Sequence, residues 1–132
     1  MSEATLREDI CEIGRRLWQM GMAPANAGNI SARLGKDRVL CTPTGVSKGF
    51  MRPETLVLLD MSGATLGDGA VSSEVAMHLT CYRERPDVTG VVHVHPPAAT
   101  GFACSESPLP VEVLTEAVCL LGEVPTVAPA TP

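Results

Sequence analysis

Aromatic side chains are scarce in this chain. One tryptophan, one tyrosine and two phenylalanines among 132 residues make 3%, too few for a surface that recognises nucleic acid by stacking on bases. Positive charge is also in short supply. Ten Lys and Arg stand against fifteen Asp and Glu, a net charge of −5, which argues against a nucleic-acid or anionic-membrane partner. No apolar run approaches membrane-spanning length, and the opening residues Met1, Ser2, Glu3 and Ala4 do not form a signal peptide. The five cysteines, Cys11, Cys41, Cys81, Cys104 and Cys119, are odd in number and contain no CxxC pair. Each lies in an apolar pattern and reads as a buried free thiol of a reducing compartment, with no cysteine nucleophile and no sulfur-ligated metal. No repeat, linker or low-complexity tract interrupts the chain. What remains is a cytoplasmic globular protein whose 45% hydrophobic content suffices for one domain, burying roughly two thirds of its unfolded surface.

Histidine is rare too, and its distribution is informative. Two of the three histidines fall in HVH at 93–95, at the end of the apolar run 88–92, which reads as a buried strand stopped by Pro96 and Pro97. Residues i and i+2 of a strand share a face, so His93 and His95 stand side by side, as a divalent ion requires of its first two ligands. Taken alone, the pair also fits two histidines making ordinary hydrogen bonds. Upstream, Ser72, Ser73 and Glu74 precede the amphipathic run 75–82. Either serine is a natural N-cap, with Glu74 in the first turn, and a helix start of this kind attracts anions, phosphate above all. Two further segments, GNIS at 28–31 and TPTG at 42–45, are turns of small residues where backbone can approach a ligand closely. Asn29, Thr44 and the Gly45 amide are candidate anion donors there. As isolated strings, both are only turns.

Apolar periodicity orders the elements. Leu6, Ile10, Ile13, Leu17 and Met20 form a helical stripe over 5–20. Strands are expected at 29–34 and 38–41 around a turn at 35–37, then a turn at 52–55, a strand at 56–60 and a hairpin-type turn at 62–65. A helix from Glu74, a strand from Val88 and a helix from Pro97 follow. A loop at 105–110, a short helix at 115–121 and a strand at 124–127 complete the reading. Strand runs followed by helix alternation predict a sheet flanked by helices in an α/β fold.

Together and in this order, GNIS, TPTG, SSE and HVH resemble the class II aldolase/adducin family. The resemblance extends over nearly the whole chain, through HLTCYRERPDVTGVVHVHPPAA at 78–99 and the ending EVPTVAPATP at 123–132. It implies a three-layer α-β-α sandwich with a largely antiparallel central sheet, and a homotetramer with active sites at subunit interfaces. It implies that Asn29, Thr44, Gly45, Ser72 and Ser73 hold a substrate phosphate. Glu74 becomes the proton-transfer residue, and His93 and His95 bind zinc or another divalent metal, with Glu74 beside them in the metal's ligand set. The implied activity is that of a metal-dependent aldehyde-lyase of carbohydrate metabolism, acting on a small sugar phosphate or related hydroxy-carbonyl compound through a metal-stabilised enediolate. Epimerases, dehydratases and decarboxylases of the family share that chemistry, and an adducin-like binding module would keep the fold without it. Retention of Glu74 and both histidines favours the enzyme.

The family also implies a third zinc histidine well beyond HVH. The chain is therefore read as one class II aldolase/adducin-type domain, 1–132, incomplete at its C-terminal end. The remaining histidine, His78, occupies a helix position where the family also carries histidine, and reads as a packing or hydrogen-bonding residue. Fuculose-type aldolases place a tyrosine in the segment matching 109–117; this chain has none there.

Overall fold

A computed structural model describes residues 2–105, 107–113 and 115–128. The chain divides into two compact units, Met1–His95 and Pro96–Pro132. The first is built on a four-stranded sheet in the order β3-β2-β1-β4. Its strands are β1 Asn29–Leu34, β2 Arg38–Cys41, β3 Val57–Asp60 and β4 Gly90–His93, and all three pairings are antiparallel. Two helices, α1 Glu3–Gln19 and α2 Val75–Glu84, cover opposite faces. Alternation along the strands decides which residue meets which helix. Ile30 and Ala32 of β1 and Leu40 of β2 cluster with Ile10 of α1, Met51 and Leu56. Val39, Cys41, Val57 and Leu59 point the other way and cluster with Leu79 and Tyr82 of α2. The expected three-layer α-β-α arrangement with an antiparallel sheet is the fold observed.

Local chemistry sets the boundaries. Helix α1 starts at Glu3, two residues before its apolar stripe, because the Ser2 side chain caps it by accepting the Thr5 N–H at 3.1 Å. Arg7 then ties α1 to the short 3₁₀ turn Pro53–Thr55 by donating to the Pro53 and Leu56 carbonyls at 2.8 and 2.9 Å. The turn after β3 is organised by Asp60, whose carboxylate accepts the Ser62 and Ala64 amides.

Three expectations need correction. Helix α2 begins at Val75, with Glu74 in the N-cap position and no side-chain cap. The Ser72 hydroxyl instead accepts the Glu74 N–H, closing a turn ahead of the helix. The expected strand at 124–127 does not form: residues 123–128 carry no regular element, and no described strand pairs with them, as a strand requires. The cysteines are all free, but only Cys41 is buried: Cys11 and Cys81 are half-buried, and Cys104 and Cys119 are exposed. The exposed pair lies in the second unit, whose helices α3 Pro97–Cys104 and α4 Thr115–Leu120 bury no residue among those described. The last four residues of the family-like ending fall outside the described residues, as do Glu106 and Leu114. No described helix is long and apolar enough to cross a membrane.

Gly28 shows how tightly β1 and β4 meet. It has φ +76°, and a Cβ there would stand 2.8 Å from the His93 carbonyl oxygen. Gly35, at φ +70°, has open space around it. Gly35→Ala should therefore cost only left-handed strain, about 1–2 kcal/mol. Gly28→Ala should cost more, because backbone must also shift. Urea unfolding of the two variants measures the difference; equal costs would show that the β1–β4 contact yields freely.

Candidate active site

The site forms where the sheet's β1–β4 end meets the segment leading into α2. Asn29 and His93 are direct partners in the antiparallel register, so both side chains project from one face. The TPTG turn is brought over by an isolated bridge between Pro43 and Val71 and by the Thr44 N–H donating to the Ala70 carbonyl at 2.9 Å. That bridge sets Ser72, Ser73 and Glu74 against Thr44 and Gly45. The result is a cleft of about 280 Å³ lined by Asn29, Thr44, Gly45, Ser72, Ser73, Glu74, Lys48 and His95, together with neighbouring loop residues. All five residues expected at a phosphate, plus Glu74 and His95, thus share one cavity although they come from separate segments. Because the Thr44 amide is spent on Ala70, the hydroxyl is what Thr44 can offer a ligand.

Asn29 is 4% exposed and every polar atom of its side chain is engaged. Its Nδ2 donates to Ser72 Oγ at 3.2 Å and to Glu74 Oε2 at 2.5 Å. Its Oδ1 meets His78 Nε2. His78 Nδ1 lies 2.7 Å from Ser31 Oγ, which lies 2.8 Å from the Tyr82 hydroxyl. A continuous buried chain of hydrogen bonds therefore runs from Tyr82 in the core to the Glu74 carboxylate at the cleft. Burial is the main influence on His78, and the neighbouring His93 acts in the same direction; together they push its pKa down to about 4 against a weaker upward pull from Glu74. Burial likewise raises the Tyr82 phenol to about 12. Both groups are neutral near pH 7.

His95 lies just past the end of β4, yet its ring faces that of His93. The two Nε2 atoms are 3.2 Å apart. Two nitrogens bound at about 2.0–2.1 Å to one tetrahedral ion stand about 3.3–3.4 Å apart, so the separation suits a shared ion as well as a shared proton. On the other side of the His93 ring, the buried Nδ1 has no hydrogen-bond partner. Glu74 Oε2 lies 3.1 Å from it but out of line for a hydrogen bond. The donor set thus offers two imidazole ligands, and Glu74, expected in the same ligand set, lies across the His93 ring from the paired Nε2 atoms. Among the described residues no three His, Cys, Asp or Glu side chains are grouped as a complete ligand set.

One lining residue escaped the sequence reading. Lys48 is 2% exposed, and its ammonium donates to the Asn26 and Val46 carbonyls at 3.2 and 2.6 Å. Desolvation lowers its pKa. It adds a buried cation to a cavity expected to hold anions by hydroxyls and amides alone, and it ties the loop before β1 to the TPTG turn. No periodicity or local motif marks it, since its burial depends on two loops meeting.

Known proteins bear directly on this arrangement. The family described as "Class II Aldolase and Adducin N-terminal domain" matches residues 8–132. The chain belongs to that family, which is generally dependent on a divalent metal. It is 36% identical over 107 residues to a 3-oxo-tetronate 4-phosphate decarboxylase of Haemophilus influenzae, covering 81% of this chain and 51% of that protein. It is 40% identical over 96 residues to a methylthioribulose-1-phosphate dehydratase of Methylococcus capsulatus, covering 73% and 47%. The crystal structure of L-fuculose-1-phosphate aldolase from Thermus thermophilus superimposes with a TM-score of 0.84 at 34% identity, covering 98% of this chain and 65% of that one. The chain spans about half the length of the curated relatives it matches.

His78 carries a pH signature. Its folded pKa of about 4 lies below the unfolded value near 6.5, so the unfolded chain binds this proton more readily. The stability it contributes is present above about pH 6.5 and is lost as pH falls through about 4, by up to ~3 kcal/mol. Urea unfolding of wild type and His78→Gln across that window should show a steeper acid loss in wild type; parallel curves would contradict a buried neutral His78.

Proposed function

We propose that this chain carries the metal and phosphate site of a divalent-metal-dependent lyase acting on a small phosphorylated ketose or hydroxy-carbonyl compound. The observation that carries the reading is the convergence of Glu74, His95 and the hydroxyls of Thr44, Ser72 and Ser73 on a single cleft, with His93 against both Glu74 and His95. His93 and His95 would hold the ion, with Glu74 beside them. When bound, the ion supplies Lewis-acid stabilisation of negative charge on substrate oxygen.

The rest is done by side chains of this chain. Ser73 is exposed at the cleft and, with the Thr44 hydroxyl and Gly45, holds the phosphate of the substrate; the Lys48 cation offsets part of its charge. Fixing the phosphate orients the reacting carbon toward Glu74, the entropic contribution that positioning makes to rate. Glu74 moves the proton on carbon: in cleavage the substrate hydroxyl loses its proton as it becomes a carbonyl and Glu74 delivers one to the carbon that keeps the bonding pair; in dehydration Glu74 takes the carbon's proton as the neighbouring hydroxyl leaves as water, and in decarboxylation it protonates the carbon that has lost CO₂. The relatives' names divide among an aldolase, a dehydratase and a decarboxylase, which supports one proton-transfer machinery serving several substrates. A homotetramer in the cytoplasm is part of the same reading, on family resemblance.

Full-length protein supplied with zinc should be assayed against L-fuculose 1-phosphate, methylthioribulose 1-phosphate and 3-oxo-tetronate 4-phosphate. One of them should turn over. Glu74→Gln, which keeps shape but cannot carry the proton, should lower that turnover by about 10²–10⁴-fold; near-normal turnover would remove Glu74 from the chemistry. Ser73→Ala should raise KM for the phosphorylated substrate more than for its dephosphorylated analogue, and equal effects would remove the phosphate assignment.

A further inference from the structure

We propose that His78 is a positioning residue, held in its Nε2–H tautomer by Ser31 and Tyr82, and that it decides which end of the Asn29 amide faces Glu74. The tautomer follows from donor and acceptor counting in a neutral, buried ring; its consequence for turnover rests on the proton-transfer role proposed for Glu74. The carboxylate oxygen Glu74 Oε2 is the acceptor of its contact with Asn29. The Asn29 group next to Glu74 Oε2 must therefore be the NH2, which also reaches Ser72 Oγ. The carbonyl end then faces His78 Nε2, and a carbonyl only accepts, so that nitrogen carries the hydrogen. In a neutral ring Nδ1 is then an acceptor, and Ser31 must donate to it across 2.7 Å. With its hydrogen committed, the Ser31 oxygen accepts from the Tyr82 hydroxyl at 2.8 Å. Each link has only one consistent sense, and every donor in the chain points toward Glu74.

The opposite tautomer would reverse the chain. Nε2 would accept, Asn29 would turn its NH2 inward, and its carbonyl oxygen would face the Glu74 carboxylate. Two acceptors at that separation repel, and the carboxylate would lose the donor that aims it. The cost is high because the chain is dry: Asn29, Ser31, His78 and Tyr82 are between 1% and 4% exposed, where an unsatisfied polar group is most expensive. Burial of the ring, 2% exposed, favours the neutral form that makes Nδ1 an acceptor, and the downward push on the His78 pKa to about 4 agrees with it. Tyr82 is held in turn from outside the chain: the Arg33 guanidinium sits 4.9 Å above its ring and donates to its backbone carbonyl. That anchors the far end of the relay in the core.

The test uses full-length protein labelled with ¹⁵N-histidine, with the His78 ring signals assigned by their loss in His78→Gln. At neutral pH the ring should be neutral, with hydrogen on Nε2. A hydrogen on Nδ1, or an imidazolium, would overturn the proposal. Ser31→Ala deletes the donor to Nδ1 and should convert the single tautomer into a mixture; an unchanged Nε2–H tautomer would show that Ser31 does not hold it. In turnover, Gln at position 78 can still donate to the Asn29 carbonyl and Leu cannot. His78→Leu should therefore lower kcat by about 10–100-fold, with a smaller rise in KM, and His78→Gln should restore most of the loss. Equal losses in two folded variants would reduce His78 to packing. The tautomer and Ser31→Ala results stand whether or not His78→Leu folds. They also separate the two readings: an inert substrate panel with the predicted tautomer would sink the proposed reaction and leave the positioning chain, and an active panel with the wrong tautomer would do the reverse.

Discussion

The side-chain amide of Asn29 is the junction on which the site depends. It sits at the first residue of β1, opposite His93 of β4, and its three polar valences reach Ser72, Glu74 and His78. A buried amide cannot be left half satisfied without a cost of about 1–3 kcal/mol. Once β1 is in place, the segment before α2 therefore has one favourable position. Function and fold meet in this residue: the contact that locks the helix entry to the sheet also aims the carboxylate.

The surrounding architecture makes the junction rigid. The sheet is antiparallel throughout, so register alone places Asn29 beside His93. The Gly28 backbone lies so close to the His93 carbonyl that no larger residue fits without movement. Thr42 accepts the Ile30 N–H at 3.1 Å, which ties the strand to the TPTG turn from the other side. The Pro43–Val71 bridge closes the cleft. Few of these contacts are strong individually, but they are mutually consistent, and a site held by packed strands keeps its geometry better than one carried on loops.

Much of this was legible in the sequence where the signal is local. The apolar alternation and the turn at Gly35 fixed β1 and β2 to the residue, and the i, i+2 spacing anticipated that the His93 and His95 rings would face each other. Four short strings pointed to segments that do converge. What stayed illegible depends on partners distant in sequence. Ser72 reads as a cap, but its hydroxyl is drawn to the Glu74 amide and to Asn29, 43 residues away. Lys48 reads as an ordinary surface cation until the loops carrying Asn26 and Val46 enclose it. The residues 124–127 have strand-like composition, but no described strand pairs with them. His78 reads in sequence as a packing or hydrogen-bonding residue; only the fold reveals that both ring nitrogens are used and that Tyr82, one helical turn on, completes the line.

One cleft is proposed to hold both a metal and a phosphate, with Glu74 on its wall. The most direct measurement is anomalous diffraction at the zinc edge from crystals of the full-length protein grown with zinc and inorganic phosphate. The account predicts a zinc peak about 2.0–2.1 Å from the Nε2 atoms of His93 and His95, with phosphate in the same cleft against Ser73, Thr44 and Gly45. Zinc bound away from the histidine pair, or phosphate bound only outside the cleft, would contradict it.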